Sequence, residues 1–150
     1  MPRFTTERRV RHSAGQMFDL VADVDAYSKF VPLCEKAVVR SRSQEGHTII
    51  IVDMTVGYGV VRETFTTRDV LDRDALTIDI TCHSGPFRHL DSRWKFAPDS
   101  DGGCLVRFTI DYEFRSRVLA ALMGAVFDHS FRNFIEAFAA RADAVYGVTA

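Results

Sequence analysis

The segment CLVRFTIDYEF, residues 104–114, restricts the fold of this chain more than any other stretch. It alternates without a lapse. Cys104, Val106, Phe108, Ile110, Tyr112 and Phe114 fall on one side; Arg107, Thr109, Asp111, Glu113 and, just beyond, Arg115 fall on the other. Successive side chains of a strand point to opposite faces, so this pattern describes a strand with one dry and one wet face. ALTIDITCH, 75–83, repeats it, with Leu76, Ile78, Ile80 and Cys82 against Thr77, Asp79, Thr81 and His83. One-sided strands of this kind belong to an antiparallel sheet, and its apolar face needs a cover.

From about Arg117 to Tyr146 the period becomes helical. Phe127, Phe131, Phe134, Phe138, Ala142 and Val145 recur at steps of three and four, an apolar stripe suited to lie on the sheet. Asp128, Arg132 and Glu136 are i,i+4 neighbours of opposite charge on the outer side. The first third, RVLAALMGAVF, is apolar almost all round. Two readings stand for it: deeper burial or a contact with a second copy, and a lid or membrane-touching element with Leu119, Leu122, Met123 and Val126 near an entrance.

The remaining elements follow from local signals. Residues 3–11 read as a first strand. Ser13 and Gln16 form a capping box that opens a short helix carrying Met17, Phe18 and Val21. Asp25 is placed to cap a second helical turn with Tyr27 and Phe30, which Pro32 ends. Strands then follow one another. Val38 to Arg42 turns through Glu45-Gly46 into HTIIIVDMTV, and GYG (57–59) turns into VVRETFTTRDV. DRD (72–74), SGPF (84–87) and APDSDGG (97–103) separate the rest. The order is strand, two short helices, six antiparallel strands and one long helix, in a single domain over 1–150. One helix on a wide curved sheet cannot fill the whole concave side, which favours an apolar cavity between them.

Composition narrows the function. Nineteen Lys and Arg against 20 Asp and Glu leave no dominant basic field, which argues against a DNA-binding role. Twelve Phe suit a large core or a core with a greasy hole in it. Cys34, Cys82 and Cys104 form no close pair and do not read as a disulfide framework, so a reducing compartment is expected. MPRFTTERRVRHS has no apolar signal region, and Val118 to Phe127 is too short to cross a bilayer. The expectation is a cytoplasmic protein, with peripheral contact at the inner face of a membrane left open.

Candidate chemistry is sparse. In TCHSGPFRHLDSRWKF, 81–96, His89 and Asp91 share a face about 7 Å apart, a spacing that two metal ligands could use. Arg93 and Lys95 continue that face, so it reads as solvated, and His83 reads as a loop residue. Inside, Leu90, Ser92 and Trp94 share a face. Ser92 is small where a filled core wants bulk: either a large neighbour fills the space or this is a cavity wall, on which the Trp94 indole offers a flat apolar surface. Parity also turns Met54, Phe65 and Ile78 inward. Glu63 shares that parity and is assigned to the rim. DSDGG (99–103) lacks the third acidic position and the closing Glu of a calcium loop, and Asp23 and Asp25 suit helix ends better than a cation. No serine stands in a G-x-S-x-G elbow. No enzyme and no metal site is expected.

The blocks YSKFVPLC (27–34), ETFTTR (63–68), GPFRHLDSRWKF (85–96), CLVRFTIDYEF (104–114) and FDHSFRNFIEAFAARADAVY (127–146) resemble the START-like polyketide cyclase/dehydrase group. More narrowly, they resemble its coenzyme-Q-binding and ribosome-association-toxin (RatA-like) branch. The resemblance implies an α+β helix-grip fold, a curved antiparallel β-sheet wrapped around a long C-terminal α-helix with two short helices after the first strand. It implies non-catalytic binding of a hydrophobic small molecule, ubiquinone or another polyprenyl lipid, held as a ligand without a covalent cofactor, in support of respiratory electron transport. The alternative it carries is a toxin that binds the large ribosomal subunit and blocks translation initiation. Carried over by position, it marks Val31, Pro32, Phe87, Leu90 and Trp94. With the inward residues Met54, Phe65 and Ile78 and the entrance residues Leu122 and Val126, these make up the expected ligand site.

Overall fold

A computed structural model describes residues 3–43 and 47–147; the expected Glu45-Gly46 turn lies outside the described residues. Seven strands form one antiparallel sheet: β1 (Arg3–Val10), β2 (Cys34–Ser43), β3 (Thr48–Tyr58), β4 (Val61–Asp72), β5 (Thr77–Cys82), β6 (Phe87–Pro98) and β7 (Cys104–Phe114), in the order β1-β7-β6-β5-β4-β3-β2. Consecutive strands are neighbours, as short hairpin turns require. The exception is β1, which pairs with β7 at the far edge. Helix α1 (Ala14–Ala22) and a 3₁₀ helix (Val24–Lys29) follow β1, and α2 (Arg117–Arg132) and α3 (Phe134–Tyr146) close the chain.

This is the expected helix-grip architecture, and the wet-dry alternation survives in detail. All six apolar positions of β7, from Cys104 to Phe114, are buried, as are Leu90, Ser92, Trp94 and Phe96 of β6. On the outer face, Arg93 holds Asp79 through two hydrogen bonds of 2.6 and 3.0 Å, and His89 pairs with Asp111 at 3.1 Å. Such solvated pairs contribute about 0–1 kcal/mol each. Ser13 and Gln16 form the capping box in both directions.

Three expectations change. The N-cap of the 3₁₀ helix is Asp23, which makes no side-chain capping bond, and Asp25 sits inside the first turn. The C-terminal helix is interrupted at Asn133, whose side-chain amide donates to the His129 carbonyl at 2.7 Å while its backbone N–H donates to Ser130. An Asn side chain that takes a helix carbonyl competes with the regular ladder, and the axis breaks there. Val145, expected on the inner stripe, is exposed at the end of α3.

The bend between β5 and β6 uses Gly85 at φ 63°, a left-handed conformation that glycine adopts at little cost. The turn docks on β4, where Ser84 Oγ accepts from the Thr66 N–H at 3.0 Å. Antiparallel topology brings this bend, the β3–β4 turn and the link from β7 to α2 to one end of the sheet. The chain enters β2 there too, with Gly57 N–H donating to Leu33.

Candidate functional site

A cavity lies between the concave face and the helices. Its floor is formed by Met54 and Val56 of β3, Phe65 and Thr67 of β4, Ile80 of β5, Leu90, Ser92 and Trp94 of β6, and Phe108 and Ile110 of β7. Its roof is Phe127, Ser130, Phe131, Phe134 and Phe138, so the Asn133 break stands directly above it. Tyr27 and the turn Val31-Pro32-Leu33-Cys34 close the side. The enclosed space amounts to about 80 Å³, well under the roughly 300–1,000 Å³ of sites that hold a drug-sized ligand.

Aromatic rings set its shape. Trp94 meets Phe108 at 4.7 Å and Phe138 at 4.9 Å between ring centroids; Phe138 also meets Phe30 at 5.0 Å and Tyr27 at 5.5 Å. Phe131 and Phe134, on either side of the break, lie edge to face at 5.1 Å. Phe131 and Phe134 are half-buried, whereas Trp94, Phe108 and Phe138 are buried. Polar groups on the wall are few: the Tyr27, Thr67, Ser92 and Ser130 hydroxyls and the Cys34 thiol. The Tyr27 hydroxyl donates to the Val21 carbonyl. Burial pushes the Tyr27 phenol well above its ordinary range, and the Cys34 thiol is raised for the same reason, so both are neutral at physiological pH.

Of the ten residues expected in the site, Val31, Pro32, Met54, Phe65, Leu90 and Trp94 line the cavity. Four do not. Ile78 is buried in the row that joins Leu71 to Trp94, at the end of the sheet that α1 covers with Phe18 packed on Phe96; Ile80, one pleat on, takes its place. Phe87 is carried inward by a bulge between Phe87 and His89 and disappears among Phe65, Phe114 and Phe127. Leu122 is 64% exposed on the outer side of α2, and Val126 is half-buried on its flank. Met123 and Phe127 hold the inner phase of that helix instead. Ser92 is a wall residue, which resolves the question its size raised. Glu63 is half-buried near the rim.

Asp69 escaped the sequence reading. It is buried to 3% exposure on the inward side of β4, and burial raises its carboxyl to about 7 against the opposing pull of a Thr67 hydrogen bond. The signal was available, since Asp69 has the same parity as Phe65 and Leu71.

A curved antiparallel sheet gripping C-terminal helices around an apolar cavity defines the START-like class. The solved structure of a START superfamily protein from Mycobacterium smegmatis superposes with a TM-score of 0.80 over 95% of this chain and 98% of that one, at 17% identity. The family described as polyketide cyclase / dehydrase and lipid transport matches residues 10–139, and the chain belongs to it. The ribosome association toxin RatA of Escherichia coli is 35% identical over 146 residues, 97% of this chain and 90% of that protein. The mitochondrial coenzyme Q-binding protein COQ10 of Drosophila melanogaster is 31% identical over 129 residues, 83% of this chain and 52% of that protein. An 18 kDa protein from Caulobacter crescentus, solved in solution, is 34% identical with a TM-score of 0.78, over 99% of this chain and all of that one. The family's description names cyclases and dehydrases beside lipid transport, so it spans catalysis and binding.

Proposed function

We propose that this protein binds a polyprenyl quinone or a similar lipid in the cavity and holds it without chemical change, serving electron transport at the inner face of a membrane. The observation that carries the reading is the nearly all-apolar wall, centred on Trp94 and roofed by phenylalanines at a helix break. A long isoprenoid tail suits such a wall, since each buried CH₂ contributes about 0.8 kcal/mol. The name of the COQ10 relative supports the same ligand class. Among the described residues, no helix is long and apolar enough to cross a membrane, so membrane contact would be peripheral. Exposed Tyr58 and Val60 on the β3–β4 turn, with Val118 and Leu122 on α2, stand at the sheet end suited to it.

Solvent extraction of the purified protein followed by mass spectrometry tests this. A co-purifying quinone or lipid is expected. Its absence, together with no saturable binding of added quinone, would overturn the reading.

A second reading, restraint of translation by docking on the large ribosomal subunit, is favoured by the names of the RatA relatives and by their fuller coverage. The cations available for rRNA include Arg8, Arg9 and Arg42, but Arg8 and Arg9 already pair with Glu136 and Asp99. Overexpression followed by sucrose-gradient profiles separates the two. Free subunits that accumulate at the expense of monosomes would support the ribosomal role, and unchanged peaks would count against it.

A further inference from the structure

Strand β4 turns Phe65, Thr67, Asp69 and Leu71 in succession to the concave side, and all four are buried. Asp69 is the exception in chemistry. Its Oδ1 is shielded from solvent and has no hydrogen-bond partner. An ionised carboxylate is disfavoured in that position, so the group holds its proton to higher pH than an ordinary carboxyl, with the rise to about 7.

Its neighbours line the cavity, and Asp69 itself lies just behind that wall rather than on it. Across the sheet, Asp69 registers with Ile80, Ile80 with Ser92, and Ser92 with Ile110; the last three all line the wall. Thr67, the preceding inward residue of β4, lines it too. From the opposite side, the Tyr27 phenol feels the Asp69 charge more than any other. Asp69 is thus flanked by wall residues on its own strand, on the next strand and on the 3₁₀ helix. The Tyr27 proton is engaged by Val21, so that phenol does not serve as the donor for a ligand.

We propose that Asp69 is the polar anchor of the cavity, its protonated carboxyl donating a hydrogen bond to a carbonyl oxygen on the head of an otherwise apolar ligand, with the Thr67 hydroxyl beside it. This rests on the lipid-binding reading and narrows it. A head carrying a carbonyl oxygen, as in a ketone or quinone, is selected over a plain hydrocarbon, which would leave the carboxyl without an acceptor for its proton.

Trp94, the only tryptophan in the chain, lines the cavity and reports binding by fluorescence. Decylubiquinone and the hydrocarbon diphenylhexatriene are titrated into the wild type, Asp69→Leu and Asp69→Asn. Asp69→Leu is expected to bind decylubiquinone about tenfold more weakly and diphenylhexatriene unchanged, while Asp69→Asn, whose amide still donates, stays near wild type. Wild-type affinity for decylubiquinone is expected to fall as pH rises through about 7, because an ionised carboxylate cannot donate; Asp69→Asn should show no such fall. The titratable group coupled to Asp69 is the Tyr27 phenol, which in turn feels Cys34 and Asp23. Tyr27 and Cys34 are raised by burial and do not ionise in this window. Equal decylubiquinone affinity in wild type and Asp69→Leu would overturn the anchor, as would the same pH profile in wild type and Asp69→Asn. Should Asp69→Leu fail to fold, the Asp69→Asn profile decides alone. Binding of neither probe by the wild type would overturn the lipid reading itself.

Discussion

The two halves of the C-terminal helix differ sharply in how they are held. Helix α3 buries Ile135, Phe138, Ala139 and Ala142 and packs on α1 and β1, with Phe138 against Trp94 of β6. It is tied down by polar contacts too: His12 Nε2 to Asp143 at 2.8 Å, Arg8 to Glu136 at 3.2 Å, and the Tyr146 hydroxyl donating to the Gln16 carbonyl at 3.1 Å. Helix α2 makes its main contacts with β7 and α3 only. It buries Met123, Phe127 and Ser130 while leaving Val118 and Leu122 in solvent. The cavity is therefore bolted at the α3 end and only roofed at the α2 end. On the lipid-binding reading proposed above, α2 is the part expected to yield when a ligand enters.

Several measurements can break or sharpen that contrast. Phe138→Ala should have the largest effect, a loss of about 3–5 kcal/mol in urea unfolding, because its ring joins α3 to Trp94, Tyr27 and Phe30. A loss under about 1 kcal/mol would mean that α3 is not the fixed end. Trp94→Ala should weaken quinone binding by at least about tenfold through lost contact area, while His89→Ala and Asp91→Ala on the opposite face of β6 leave it unchanged. His12→Ala should cost about 1–3 kcal/mol of stability, having removed a buried hydrogen-bonded ring that links the β1–α1 junction to α3. Native-state hydrogen exchange should find the α2 amides opening before those of α3, and equal protection would erase the distinction. The smallest effect is expected for Leu122→Ser, within about 0.5 kcal/mol of wild type.

The sheet was legible because its signal is periodic. Eleven alternating residues in β7 fix which side is dry, and the same logic delivered Met54, Phe65, Leu90 and Trp94 to the cavity. It stumbled where inward did not mean void-facing. Ile78 points inward but lies under α1, and parity cannot say where along a strand the cover ends. Phe87, carried over from the resemblance rather than read from parity, reaches the dry side through a bulge and is buried there among other rings. The helix break at Asn133 depends on one side chain competing for a carbonyl, and an apolar stripe at regular spacing runs straight through it. Asp69 was legible by position but not by chemistry, since a carboxyl on an inward parity ordinarily signals an edge or a bulge.

Gly85 carries a consequence beyond its turn. A β-carbon built on it would stand 2.7 Å from the Thr64 carbonyl oxygen and 2.9 Å from Cβ of Phe65, too close for either to stay in place. Phe65 is a floor residue of the cavity and packs edge to face with Phe87 at 5.1 Å. One absent methyl group at the surface thus sets the position of a ring in the interior. Variation at Gly85 would change the shape of the chamber without altering any residue that faces it.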